Sequence, residues 1–234
     1  FQPKVDSDGR IIDAEALLRW SHPRKGTLGP ERFLPAAEES GQILEICNWV
    51  LQEALTLSLP WLAEHPRLHG ISININSVHF HQAGFTQRVE RTLQETGSDP
   101  RKLTLEIHEE TLASNIEEAV AKIDYLRKLG VRFSIDRFGT DLASIALLRR
   151  FTLDEIKIAR GFVARMITDP KDAKLVRTLL TMAQQMEIDV IAVGVENERQ
   201  FHFLRDHGCR EFQGFYFGRP QPADQFAATL QRNA

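Results

Sequence analysis

The chain has 234 residues and a formal net charge of −3, so nothing points to a nucleic-acid polymer or an acidic lipid surface as partner. No apolar run is long enough to cross a bilayer, and Cys47 and Cys209 lie far apart without a CxxC pattern, as expected of reduced thiols in a cytoplasmic protein. No signal peptide is visible in this stretch, the first residue is not Met, and residue 1 already enters a strand-like run. The expectation is one domain, 1–234, excised from a longer protein whose other parts could be membrane-anchored.

In chain order, 1–5 and 11–18 read as strands joined by the turn Asp6-Ser-Asp-Gly9. A Pro/Gly-rich loop follows. A short helix over 30–40 and a long amphipathic one over 43–64 come next. Strand 70–75 precedes a helix over 79–96 closed by Gly97. Strand 103–107 carries Glu106 and leads to His108, Glu109 and Glu110; helix 112–129 ends at Gly130. Strand 131–135 runs into Asp136-Arg-Phe-Gly-Thr-Asp141, then helix 142–150 and strand 155–158 with Lys157. Helix 171–186, strand 188–193, helix 199–207, a strand region over 211–217 and a helix after Pro222 complete the chain. This alternation predicts an α/β fold, a (β/α) barrel, with an open doubly wound sheet as the alternative that lacks its GxGxxG turn.

The polar residues share a position. Glu15, Asn74, Glu106, Asp136 and Lys157 each lie at or near the C-terminal end of a predicted strand, and Gln213 follows the last one. In a barrel those ends converge on the face where active sites are built. Singly, each has a plainer explanation. Glu15 could pair with Arg19, Asn74 could cap a turn, Asp136 could cap a helix, and Lys157 could be solvated. Together they read as a site whose hard oxygen donors suit Mg²⁺ or Mn²⁺. His79 and His81 read as solvated or core residues, and Glu117–Lys122 as ordinary surface charges.

The stretch Glu15-Ala-Leu-Leu-Arg-Trp20 resembles the signature of EAL domains, the cyclic-di-GMP phosphodiesterases of bacterial signalling. Gln2-Pro3, Pro35–Gly41, Ser72-Ile-Asn74, Glu106-Ile-His-Glu109, Ile135-Asp136, Phe138-Gly-Thr140, Ile156-Lys157-Ile158, Gly194-Val-Glu196 and Gln213–Phe217 follow in family order. The resemblance implies a TIM-like (β/α)8 barrel with one antiparallel strand. It also implies two metal ions that activate a water for attack on a phosphodiester to give linear pGpG. Glu15, Asn74, Glu106 and Asp136 would hold the first ion, and Lys157 would position or deprotonate the water, with Glu15, Lys157 and Glu109 as the catalytic set. Gln2, Leu17, Arg19, Pro30, Asp136, Gln213 and Phe215 match positions that line the nucleotide pocket. Phe215 could stack on a guanine or belong to the core, and Arg19 offers a planar fork to a phosphate.

The second ion would depend on an Asp after Asp136 and a Glu in an Ala-Glu-Gly-Val-Glu motif. Here Arg137 and Val193 stand at those positions. Two like charges about 4 Å apart repel by ~4 kcal/mol at an effective dielectric of about 20. Arg137, pointing inward, would oppose or replace the second ion; it could equally turn outward. Asp141 replaces a glycine of the loop that orders the family's metal site and dimer interface, Ala159 an Asp, His108 a Thr and Asn76 a Ser. The expectation is one metal site, cyclic-di-GMP bound as by a receptor with little or no hydrolysis, and a protein partner or neighbouring domain that receives the signal. The alternatives are an active phosphodiesterase in which Glu109 and Glu196 compensate, and an interaction module that binds no nucleotide. Homodimerisation through the barrel helices is implied by the family but decided by no residue here.

Overall fold

In the computed structural model, which describes residues 1–139 and 144–233, the strands are β1 Gln2–Val5, β2 Ile11–Ala16, β3 Trp20–His22, β4 Gly26–Leu28, β5 Gly70–Asn74, β6 Leu103–His108, β7 Arg132–Phe138, β8 Glu155–Ile158, β9 Asp189–Val193 and β10 Glu211–Gln213. Eight close into a barrel in the order β1-β10-β9-β8-β7-β6-β5-β2. β1 is antiparallel to both neighbours, and every other barrel pair is parallel. The expected barrel with one antiparallel strand is therefore present, and β1 is that strand. Its reversed direction brings Gln2, at its start, beside Glu15, at the end of β2.

The outward residues of these strands are Ile, Leu, Val and Phe packed beneath helices, as in parallel sheets covered on both faces. The long helix Ile43–Glu64 buries Leu51, Ala54, Leu55 and Trp61. Trp61 meets Phe1 and Phe226 edge-on or tilted, which ties the helix Ala223–Arg232 to the start of β1. Helices begin where short polar side chains accept a backbone N–H: Asn115, Asp169 and Asn197, the last in a reciprocal capping box with Gln200.

Several boundaries differ from the sequence reading. The Pro/Gly-rich loop contains the hairpin β3–β4. Residues 30–40 form a 3₁₀ turn, Pro30–Arg32, and a separate helix, Leu34–Glu39. The helix expected over 79–96 is two, Ser77–His81 and Phe85–Thr96, because Gly84 takes φ +81° and turns the chain between them. The helix expected over 112–129 is also two, Glu109–Ser114 and Ile116–Leu129, divided at the Asn115 cap. The strand region over 211–217 ends at Gln213. A helix over Arg160–Arg165 was not anticipated. Thr140, Asp141 and Leu142 lie outside the described residues, so the expectations placed on that loop are not addressed. Lys122 pairs with Glu118 at 2.5 Å, one helical turn away, and not with Glu117.

Candidate active site

Strand geometry alone sorts the barrel interior into two layers, because residues two apart on a strand share a face. The upper layer, at the rim, holds Gln2, Glu15, Asn74, Asp136, Lys157 and Gln213. The lower layer holds Lys4, Asp13, Ser72, Ser134 and Glu155. Glu106 lies opposite Asn74 on one side and Ser134 on the other, and it reaches both layers. Barrels of this kind are usually filled with branched apolar side chains; this one is filled with charge.

Lys157 is the hub of the upper layer. Its Nζ lies 2.5 Å from Glu106 Oε2, 2.9 Å from Glu15 Oε2 and 4.0 Å from Asp136 Oδ1, and it is only 2% exposed. Asn74 Nδ2 donates to Glu15 Oε1 at 2.6 Å, and Gln213 Nε2 donates to Glu15 Oε2 at 2.6 Å. The plainer explanations thus fail. Glu15 pairs with Lys157, while Arg19 donates to the Leu18 carbonyl. Asp136 is inside β7, with its carboxylate 4.0 Å from Lys157. Lys157 is buried, not solvated.

The electrostatics follow from burial. Desolvation pushes Glu15 up, but Lys157, Lys4 and the Gln213 hydrogen bond outweigh it and hold the carboxyl down at about 2. Glu106 goes the other way, up to about 7, because burial and the nearby Glu15 charge exceed what Lys157 and Lys4 return. Lys157 stays protonated: burial opposes its charge, and Glu106 and Glu15 more than compensate.

The rim opens into a cavity of about 450 Å³ lined by Gln2, Glu15, Asp136, Lys157 and Gln213 together with Arg137, Arg160, Arg165 and Val193. Arg137 sits at φ +57° in a bulge between Ile135 and Phe138, a conformation costly for a side chain with a Cβ. Its side chain is 71% exposed, yet Nε lies 3.8 Å from Asp136 Oδ2. It lies at the mouth, between the inward and outward alternatives. Val193 lies opposite Gln213 in the register and puts an apolar wall where the resemblance implies a carboxylate. Glu196 is held by Arg160 at 2.6 Å. Glu109 is buried and accepts the Gly139 N–H at 2.9 Å.

The remaining candidates, Leu17, Arg19, Pro30 and Phe215, do not line this cavity. Leu17 and Arg19 line a second cavity of about 510 Å³ with Phe1, Trp49 and Pro222. Pro30 opens the 3₁₀ turn. Phe215 is 43% exposed, which removes the core alternative, and Arg219 lies 4.2 Å over its ring. The sequence reading missed the lower layer. Lys4, Asp13, Ser72 and Glu155 each stand two residues from a rim candidate, and that spacing was the signal available for finding them.

Among the described residues no three His, Cys, Asp or Glu side chains form a ready-made metal cage. The reason is visible: the Lys157 ammonium occupies the middle of the carboxylates. The donors still fit a hard divalent cation. Glu15, Glu106 and Asp136 offer carboxylate oxygens and Asn74 an amide oxygen, and Glu106 Oε1, Ser134 Oγ and Gln213 Oε1 are buried without an aligned hydrogen-bond partner.

The family model described as EAL domain matches residues 1–220. The chain belongs to the EAL domain family. The domain is 37% identical over 231 residues to MucR of Pseudomonas aeruginosa, a bifunctional diguanylate cyclase/cyclic di-GMP phosphodiesterase, covering 98% of this chain and 34% of MucR. It is 38% identical to the cyclic di-GMP phosphodiesterase NbdA of the same organism, covering 95% of this chain and 28% of NbdA. The chain thus spans about a third of the length of these curated relatives. The solved structure of the PaMucR phosphodiesterase in complex with c-di-GMP superposes with a TM-score of 0.92 at 38% identity, covering 96% of this chain and 92% of that one. The EAL enzyme Bd1971, bound to cAMP and cyclic-di-GMP, gives 0.92 at 28% identity, covering 98% and 63%. The EAL domain's place in cyclic-di-GMP signalling follows from the family. No helix among the described residues is long and apolar enough to cross a membrane.

Proposed function

We propose that this EAL domain binds cyclic-di-GMP and hydrolyses it little or not at all, as one module of a longer signalling protein. The carrying observation is the pair Arg137 and Val193 at the mouth of the Lys157 cavity. A guanidinium and an isopropyl group stand where a second divalent ion would need carboxylates. Arg137, Arg160, Arg165 and Lys157 line that cavity against the carboxylates of Glu15 and Asp136. This is a surface for a phosphodiester dianion, for which guanidinium groups are well suited.

Glu15, Asn74, Glu106 and Asp136 would hold one Mg²⁺ or Mn²⁺, which when bound would neutralise phosphate charge and polarise the ester. The protein's own groups do the rest. Gln2 Nε2 is tied to the Gly218 carbonyl at 3.1 Å, and Gln213 anchors Glu15, so the floor of the pocket is set before ligand arrives. Lys157 holds its proton between two carboxylates and so serves as a fixed cation. Deprotonating a water would first require one of those carboxylates to leave it. Arg19, Leu17, Pro30 and Phe215 would flank the nucleotide at the outer mouth.

Relatives that are enzymes favour the second reading, an active phosphodiesterase. It needs a substitute carboxylate, and the two candidates are engaged: Glu196 by Arg160 and Glu109 by the Gly139 N–H.

The test is the variant Arg137→Asp/Val193→Glu, assayed with Mn²⁺ by chromatography of the nucleotide. The double variant is expected to form linear pGpG at least 100-fold faster than the parent chain, an effect of ~3 kcal/mol on the barrier. A variant that folds and binds cyclic-di-GMP yet cleaves no faster would contradict the assignment of the block to these two residues.

A further inference from the structure

We infer that Lys4, on the antiparallel strand β1, is a positioning residue for Glu106. Lys4 is fully buried in the lower layer of the barrel. Its Nζ lies 3.0 Å from Glu106 Oε1, 2.6 Å from Ser72 Oγ, 3.4 Å from Glu155 Oε1 and 3.8 Å from Asp13 Oδ1. Ser72 in turn donates to Asp13 Oδ1 at 3.1 Å. Four strands thus fix the ammonium in place.

Among the described residues, Glu106 is the one carboxylate that both lysines grip. Oε1 faces Lys4 below, and Oε2 faces Lys157 above at 2.5 Å. Its side chain is completely buried, so no water competes to orient it. Without the lower cation, Oε1 keeps no charged partner, and it already lacks an aligned hydrogen bond. The carboxylate is then free to rotate toward Lys157 and offer both oxygens upward. Lys4 holds one oxygen down and so sets which one the rim receives. Gln2 at the rim and Lys4 beneath it come from the same four-residue strand, whose reversed direction puts the rim residue first.

The inference rests on the proposed reading of the site only for its second readout. The first is the crystal structure of Lys4→Met beside that of the parent chain. Rotation of the Glu106 carboxylate by more than about 40° is expected; an unchanged Glu106 overturns the proposal. Because deleting a buried cation can unfold the domain, Lys4→Met/Glu155→Gln, which also removes a neighbouring negative charge, is crystallised in parallel and decides the matter by the same criterion. The second readout is a Mn²⁺ titration without nucleotide. Lys4→Met is expected to weaken binding at least tenfold in the parent background and less than twofold in a Glu106→Gln background. Equal losses in both backgrounds would mean that Lys4 acts on folding and not through Glu106, which overturns the proposal. A parent chain that binds no Mn²⁺ would contradict the metal reading alone, and the Glu106 rotation would still decide the role of Lys4.

Discussion

Two buried side chains show how differently this fold treats charge. Lys157 is kept ionised because Glu106 and Glu15 lie within 3 Å of it. His79 is equally buried but has only the Asn48 amide at 3.2 Å, the Phe85 ring edge and the unfavourable field of Arg88. Burial, helped by Arg88, drives its pKa down from 6.5 to about 4. The sign follows directly. Between pH 6.5 and 4 the unfolded chain takes up a proton that the folded chain refuses, so stability falls as pH falls. The loss amounts to ~3 kcal/mol by pH 4. Denaturant unfolding of His79→Leu at pH 7 and pH 4 should show a stability difference smaller than the parent's by about that amount. An equal difference in the two proteins would mean that His79 protonates freely in the fold. The sequence reading admitted a solvated or core role for His79; nothing in the residue string distinguishes them, since its hydrogen-bond partner Asn48 lies 31 residues earlier in the chain.

At the scale of elements, the short end of β10 carries the site more than its length suggests. Gln213 closes the strand, and Gly194 and Val195 both donate their N–H groups to its carbonyl. The next residue, Gly214, lies so close to Val195 that an added Cβ would stand 2.0 Å from the Val195 carbonyl oxygen and 2.4 Å from its nitrogen. Backbone cannot yield as a flexible side chain does. Gly214→Ala is therefore expected to cost ~3 kcal/mol or more and to loosen Gln213 from Glu15. Thermal unfolding with and without nucleotide checks both parts; a shift below ~1 kcal/mol would show that the turn can relax. The run over 211–217 reads as one strand region because it is rich in aromatics, and a close approach of two backbones leaves no trace in such a run. The start of the last helix was legible where Pro222 marked it. The break at Gly84 was not, because apolar periodicity continues across it.

For the whole molecule, the barrel was legible because a strand and a helix alternate at regular spacing and the polar residues recur at one end of each strand. The charged lower layer was not. Nothing in the short run over 1–5 singles out Lys4 until closure of the sheet places β1 between β2 and β10. The same closure gathers Gln2, Glu15, Asp136, Lys157 and Gln213, up to 211 residues apart in sequence, around one cavity. The role proposed for this cavity is to retain a nucleotide that it does not cleave. Equilibrium dialysis against cyclic-di-GMP in Mg²⁺, followed by chromatography of the recovered nucleotide, tests it most directly. Intact cyclic-di-GMP held by the protein is the predicted result. Linear pGpG would contradict the account and make the domain an enzyme despite Arg137 and Val193, and neither retention nor product would leave an interaction module that binds no nucleotide.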